Sequence, residues 1–353
     1  MTGYNLSDYR YDLPEELIAQ HPAPRREESR LMVVHLDDDR VEHRRFRNIA
    51  GYLDPGDLVV VNDTRVIPAR LLGRRRSGGA VEVLLLQRIA PAHGEPADRW
   101  IALARPSARL KEGETVFVDG GAEAVLVRSL GGGRWEVAFA EEDLARVGRA
   151  PLPPYIKRSA DDTSLVEEDR ERYQTVYARQ DGAAAAPTAG LHFSEALIEG
   201  LKAQGVGFES VTLHVGLGTF RPIQAEDIRD HTMHTERFAL SGEAARAVNA
   251  TRTRGNRIVA CGTTTMRVLE SVADEEGRLP ESGEEGETGI FIYPPHRFRV
   301  TRSMITNFHL PGSSLMVMLA ALVGRERLLA LYEEAVAERY RFYSYGDAML
   351  VLG

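Results

Sequence analysis

The stretch Ile258 to Glu270, IVACGTTTMRVLE, decides the fold class. Four apolar residues come first, Gly262 interrupts, and Thr263, Thr264 and Thr265 then lead into apolar positions at helical spacing. A buried strand that turns within a few residues into a helix is one unit of an α/β sheet. Working outward, the same alternation recurs. Ser194 to Gln204 predicts a helix opened by a serine cap and closed by Gly205, and Ser210 to Val215 predicts a strand. A helix over Ser241 to Thr251, a strand over Arg257 to Cys261 and a helix over Thr265 to Glu275 follow. Nearer the start, Pro14 to Gln20 reads as a short helix, and Leu31 to Leu36 and Leu58 to Val61 as apolar strands.

Between Pro68 and Pro151 the texture is different. Ala80 to Gln87, Trp100 to Leu103, Thr115 to Val118, Glu123 to Val127 and Trp135 to Phe139 are short β-rich runs punctuated by glycine. Regular short strands of this kind predict a small antiparallel barrel or sandwich. The prolines Pro151, Pro153 and Pro154 then close it off. The expected architecture is mixed α/β: a discontinuous α/β catalytic domain over 1–66 and 153–353, with a small antiparallel β-barrel inserted over 67–152.

The chain has 353 residues, 43% hydrophobic and 27% charged, which is ordinary globular composition and disfavours disordered or coiled-coil readings. The single cysteine, Cys261, excludes an internal disulfide and a cysteine-based metal site. Met1 to Gln20 lacks the unbroken apolar core of a signal peptide, and the apolar run Leu315 to Val323 is far short of the roughly 18 residues of a membrane span. A cytoplasmic, monomeric protein is the expectation. The formal net charge of -8 argues at face value against a phosphate-rich partner.

Six segments could carry chemistry, most with a plainer structural reading beside them. Asp181 to Phe193, DGAAAAPTAGLHF, has almost no side-chain bulk from Ala183 to Gly190, so either a flat ligand approaches Pro187, Thr188 and Gly190 or a crossover loop packs tightly before His192. In Val211 to Phe220, VTLHVGLGTF, Thr212 and His214 share one strand face, and Gly216 and Gly218 turn the chain. That glycine pair lacks a dinucleotide fingerprint's third glycine and is equally a structural turn. His231 to Glu236, HTMHTE, offers a metal site, an acid/base pair of His234 and Glu236, or a simple hydrogen bond. After Gly262, Thr263 and Thr264 open a helix whose free N–H groups suit an anion, with Arg267 one turn on; a threonine-capped packing helix is the alternative. Thr306 to Leu319, TNFHLPGSSLMVML, places Asn307 and His309 on one side ahead of a core helix, and Tyr340 to Leu350 sets aromatics beside Ser344 and Asp347.

These segments, with NDTRVIPARL (Asn62 to Leu71), RLMVV (Arg30 to Val34), PLPPYI (Pro151 to Ile156) and ERYQTVYA (Glu171 to Ala178), resemble one family over residues 4 to 352. It is the S-adenosylmethionine:tRNA ribosyltransferase-isomerase (QueA) family of queuosine synthesis. Pro295 and His296 depart from its usual Gly-Tyr, and Gly289 stands where it usually has Asp.

The resemblance implies transfer and isomerisation of the ribosyl part of S-adenosylmethionine onto 7-aminomethyl-7-deazaguanine at the tRNA wobble position. Epoxyqueuosine forms, and adenine and methionine leave. S-adenosylmethionine is then a consumed co-substrate, and neither cofactor nor metal is expected. The sulfonium acidifies the C5′ protons, so the route calls for a base there, an acid for adenine and an anchor for the methionine carboxylate. On that chemistry His192, His214 and His234 are acid/base candidates, with Glu236 orienting one of them. Pro187, Thr188, Gly190, Gly216, Gly218, Thr263, Thr264, Arg267, Asn307, His309, Ser344 and Asp347 are expected around S-adenosylmethionine. Two other classes remain: a metal hydrolase with His192, His214, His231, His234 and His309 as ligands, and a noncatalytic RNA-binding protein.

The charge is unevenly spread. Between Asp274 and Glu287 seven acids oppose Arg278, a net of -6, which leaves -2 for the rest of the chain. From Thr64 to Val81 there are Arg65, Arg70, Arg74, Arg75 and Arg76 and no acid, and Arg297, Arg299 and Arg302 lie in a second acid-free run. Only three of the 44 basic residues are lysine, and arginine suits bidentate phosphate contact. Arg65, Arg70, Arg74, Arg75, Arg76, Arg297 and Arg299 are the expected tRNA contacts, with the acidic stretch turned away.

Overall fold

A computed structural model of the chain describes residues 3–89, 98–159, 163–216 and 223–353. In chain order the first strands are β1 (Arg30–His35), β2 (Val41–Arg45), β3 (Leu58–Asn62), β4 (Thr64–Val66), β5 (Arg70–Arg75), β6 (Ala80–Arg88), β7 (Arg99–Arg105), β8 (Glu114–Val118), β9 (Ala122–Gly131) and β10 (Arg134–Ala138). There follow β11 (Gln180–Ala183), β12 (Gly207–Leu213), β13 (Glu236–Ser241), β14 (Ile258–Cys261), β15 (Gly283–Thr288), β16 (Ser303–Asn307) and β17 (Ala348–Leu352). The helices are α1 (Leu144–Val147), α2 (Val166–Arg172), α3 (Glu195–Ala203), α4 (Gly242–Thr253), α5 (Thr263–Val272), α6 (Ser314–Val323) and α7 (Arg325–Ala337). Contacts divide the chain into one unit of 1–64, 175–180 and 187–353 and another of 65–174 and 181–186, so residues 153–174 group with the barrel strands.

The first unit is built on a nine-stranded sheet in the order β15-β13-β12-β3-β14-β16-β17-β1-β2. Its centre is parallel: β12 pairs with β3, β3 with β14 and β14 with β16, all in the same direction. Every residue of β3, β14 and β16 is buried, as expected of strands covered on both faces. The flanking strands β13 and β17 run the other way. At one margin β15 exposes Glu284, Glu285 and Glu287, and at the other β2 carries Glu42, Arg44 and Arg45. Charged edges resist pairing with another chain. The acidic stretch read from the sequence is thus in part an edge strand.

Ser194, Ser241 and Ser313 each cap the helix that follows by accepting from the backbone N–H three residues on. Helix α5 starts at Thr263 and ends at Val272, earlier at both ends than the apolar spacing suggests, because Gly262 at φ 90° makes the turn. Strand β12 covers Gly207–Leu213 rather than 210–215, which leaves His214 just beyond the ladder.

In the second unit β10-β7-β6-β5-β8-β9 close into a six-stranded antiparallel barrel. Val83, Leu85, Trp100, Ala102, Leu126 and Val137 fill it, and the Trp100 indole donates to the Phe139 carbonyl at 3.1 Å. Strand β5, RLLGRR, gives no strand signal in the sequence, because its charged positions look like surface. Leu71 and Gly73 face inward and Arg70, Leu72 and Arg74 outward. A Cβ at Gly73 would lie 2.4 Å from the Phe117 carbonyl oxygen, so only glycine lets β5 and β8 approach. Among the described residues no helix is long and apolar enough to cross a membrane.

Candidate active site

Ligands of open α/β sheets collect at the carboxyl ends of the parallel strands, where side chains and helix N-termini converge. Here those ends are Leu213, Asn62, Cys261 and Asn307, four neighbours along one edge. Because β13, β17 and β1 run oppositely, their first residues, Glu236, Ala348 and Arg30, come to the same edge.

Asn62, fully buried, ties the edge together. Its Nδ2 donates to the Leu213 carbonyl at 3.0 Å and to Thr264 Oγ1 at 3.2 Å, while its Oδ1 accepts from the N–H groups of Leu213 at 3.0 Å and Thr64 at 3.1 Å. All its amide valences are used, so the end of β3 is locked to β12 and to the first turn of α5. Asp63 continues the lock, accepting from Thr212 Oγ1 at 2.7 Å and Ser210 Oγ at 3.2 Å. Neither Asn62 nor Asp63 stands out as a site residue in the sequence, although both begin the motif NDTRVIPARL. Apart from Thr64, their side-chain hydrogen-bond partners lie about 150 residues away or more, which spacing within a segment does not reveal.

His214 meets the same edge through Nδ1, 2.9 Å from Thr64 Oγ1. The first turn of α5 is adjacent: Thr264 is held by Asn62, and Thr265 donates to the Cys261 carbonyl at 2.8 Å. The leading N–H groups of this ten-residue helix have no partner within the helix and suit a carboxylate.

A second hydrogen-bonded chain runs through Thr188, Asn307, His192 and Ser29. Thr188 Oγ1 donates to Asn307 Oδ1 at 3.0 Å, and Asn307 Nδ2 donates to the Tyr343 carbonyl at 3.2 Å and to His192 Nε2 at 3.1 Å. With Nε2 accepting, Nδ1 carries the proton and donates to Ser29 Oγ at 2.8 Å. Burial, with Arg341 and Arg26 nearby, pushes the His192 imidazole down to about 3. It is therefore neutral and held at both nitrogens, which suits positioning better than proton transfer and leaves no lone pair for a metal. His309 is similar: Nε2 lies 2.7 Å from Thr306 Oγ1, and burial takes it down to about 3.

Other expected residues are placed differently from their assigned roles. The Glu236 carboxylate accepts from the Gly216 N–H at 2.9 Å and pairs with Arg267, both side chains being almost fully buried. The remaining Arg267 nitrogens reach the carbonyls of Ile290 and Thr288, so this guanidinium is occupied inside the fold. His234 is exposed on the approach to β13. Gly190 is required by a neighbour in the fold: a Cβ there would stand 1.8 Å from the Tyr177 hydroxyl. Asp347 accepts from the N–H groups of Arg30 and Arg341, each at 2.7 Å, and buries its carboxyl, which raises its pKa. Ser344 is buried in the same turn, Pro187 precedes Thr188, and Gly218 lies outside the described residues.

The arginines of the second unit also sort themselves. Arg70 is bidentate to Glu82 and Arg75 to Glu114, while Arg65 lies 3.6 Å from Asp181. Arg74 and Arg76 are exposed. In the first unit Arg297 is exposed, but Arg299 donates to the carbonyls of Ala273 and Glu270 at the end of α5. His296, one of the departures from the family pattern, contacts buried Glu270 at 3.0 Å.

The chain matches a family described as Queuosine biosynthesis protein over residues 6–351. It is 53% identical to an S-adenosylmethionine:tRNA ribosyltransferase-isomerase from Pelotomaculum thermopropionicum, across 99% of this chain and 100% of the relative. A protein of the same name from Symbiobacterium thermophilum is 51% identical, across 98% and 99%. The crystal structure of an S-adenosylmethionine tRNA ribosyltransferase from Thermotoga maritima superposes with a TM-score of 0.55 at 39% identity, covering 98% of this chain and 100% of that one.

Proposed function

The chain belongs to the queuosine biosynthesis protein family and has its S-adenosylmethionine:tRNA ribosyltransferase-isomerase activity, and from that premise we propose how the sheet edge of the first unit is used. The reaction moves the ribosyl part of S-adenosylmethionine to the aminomethyl group of 7-aminomethyl-7-deazaguanine at the tRNA wobble position, forms the epoxide product, and releases adenine and methionine. S-adenosylmethionine is a consumed co-substrate and no cofactor is needed. The protein works as a cytoplasmic monomer, with the barrel unit as an inserted domain.

The carrying observation is the convergence of His214, the Asn62–Thr264 bond, the first turn of α5 and the Thr188–Asn307–His192 chain at the ends of four adjacent parallel strands. The α5 N–H groups hold the methionine carboxylate where helix-end donors favour an anion. Thr188 and Asn307 address the ribose, positioned by neutral His192. His214 is the base candidate for the C5′ proton beside the sulfonium, and His234 the acid candidate for departing adenine. The buried Glu236–Arg267 pair fixes the Gly216 end of the approach to the site and does not bind S-adenosylmethionine directly.

The test incubates the protein with S-adenosylmethionine and tRNA carrying the aminomethyl base, and measures released adenine and the modified nucleoside. Release that depends on that tRNA is expected. His214→Ala should lower it by about 100-fold or more, as expected when a general base is lost. Turnover within a few fold of wild type in His214→Ala and His234→Ala alike would remove the acid/base assignment.

A further inference from the structure

The second unit has a cavity of about 460 Å³ on the outside of its barrel. Its floor is the outward face of β5, β6 and β7, where Leu72 stands between Arg70 and Arg74, with Glu82 and Arg105 on the neighbouring strands. Leu152, Leu165 and Val166, from the chain that follows the barrel, form an apolar wall.

Six of the eight charged residues that line this cavity fall into two classes, and Arg149 and the exposed Asp119 complete the set. Arg70 is held bidentate by Glu82 at 3.1 and 3.2 Å, and Arg158 by Asp169 at 2.7 and 2.9 Å. These pairs are compensated and serve as walls. Arg74 and Arg105 are exposed at the rim. The only contact of the Arg74 guanidinium among the described residues is a 3.4 Å bond to the Gly78 carbonyl, and that of Arg105 has no hydrogen bond or ion pair among them. Exposed arginines above an apolar pocket of this size match one nucleotide of a single-stranded RNA: flat base against the aliphatic wall, phosphates on the guanidinium forks.

Resting on the proposed function, we propose that this cavity is a second tRNA contact, which seats an unpaired nucleotide with Arg74 and Arg105 on its flanking phosphates. The contact contributes affinity for tRNA and no chemistry. It gives the net-negative chain a local basic site without any of the arginines already committed to carboxylates.

The experiment measures binding of tRNA carrying the aminomethyl base to the full-length protein across a salt series. Arg74→Glu/Arg105→Glu is expected to weaken binding by about tenfold or more and to lower the log–log salt slope by about 2, one for each phosphate no longer neutralised. Leu152→Asn should weaken binding severalfold with the slope retained. The unfolding midpoint and the KM for S-adenosylmethionine should stay at wild-type values in all variants. Arg134→Glu, an exposed charge on β10 outside the cavity, is the control. Binding within twofold of wild type in the double variant, equal weakening by Arg134→Glu, or indifference to Leu152→Asn would each overturn the proposal while leaving the enzyme reading intact. A wild-type protein that neither binds this tRNA nor releases adenine would overturn both.

Discussion

The Asn307 side-chain amide donates to His192 Nε2 at 3.1 Å, and this bond decides which nitrogen of a buried imidazole carries the proton. The orientation of Asn307 is itself set from two sides, by the Tyr343 carbonyl that takes its N–H and the Thr188 hydroxyl that gives to its oxygen. Asn307→Asp keeps the shape and the acceptor but cannot donate to Nε2, so His192 must move its proton to Nε2. Nitrogen-detected NMR should show the Nδ1–H tautomer in the wild type and loss of it in the variant. Leaving buried groups unpaired costs about 1–3 kcal/mol, which should appear as a lower unfolding midpoint. An Nε2–H tautomer in the wild type would show that the network is wired the other way.

The two histidines at pKa about 3 make stability depend on acid. Folded His192 and His309 refuse protons that the unfolded chain accepts below about 6.5, so their stability is fully present above that pH and is lost as pH falls towards 3. Between neutrality and pH 5 the loss is about 2 kcal/mol for each. The raised Asp347 carboxyl acts in the opposite sense, over a range that begins near the ordinary carboxylate pKa. Urea midpoints at pH 7.5, 6 and 5 check this, and a flat profile over that range would contradict it. His309→Gln should make the profile shallower.

Gly190→Ala should be severely destabilising, because the new methyl collides with Tyr177 and also approaches Thr175. Overpacking of this kind costs about 1–3 kcal/mol or more. Tyr177→Phe removes the atom in closest conflict, so the double variant should recover part of the loss. A double-mutant cycle on thermal unfolding reads the coupling, and additive effects would show that the conflict lies elsewhere.

Glu236 and Arg267 form an ion pair with little contact to water. Removing one partner leaves an uncompensated buried charge and should cost about 3–5 kcal/mol. Replacing both with apolar residues of similar volume should cost less than the two single changes together. Denaturant unfolding of Glu236→Leu, Arg267→Met and the double variant measures this. Because Glu236 also holds the Gly216 N–H, the KM for S-adenosylmethionine should rise in Glu236→Leu; an unchanged KM would separate the pair from the site.

Much of the fold is legible locally. The serine caps at 194, 241 and 313, the apolar strands β1, β3 and β14, and the glycine-punctuated strands of the barrel each carry their signal within a few residues. The barrel strand β5 does not, since RLLGRR sets two adjacent leucines and a glycine between arginines, with no polar–apolar alternation, and reads equally as a basic surface run. Helix α5 begins two residues early because the turn depends on the backbone angle of Gly262, which propensity does not specify.

The sequence by itself determined the family, the alternation that makes a parallel sheet, and the segments that would meet at its edge, because periodicity and motif identity are properties of neighbouring residues. Only the tertiary structure decided what those residues do there. Arg267 looks like an anion ligand until folding gives it Glu236, His192 like a base until Asn307 and Ser29 take both its nitrogens, and Arg75 like a phosphate contact until Glu114 binds it. In each case a charge or a lone pair is committed to a partner distant in sequence. A side chain's chemistry is inherited from its residue type, but its availability is set by what the fold packs against it.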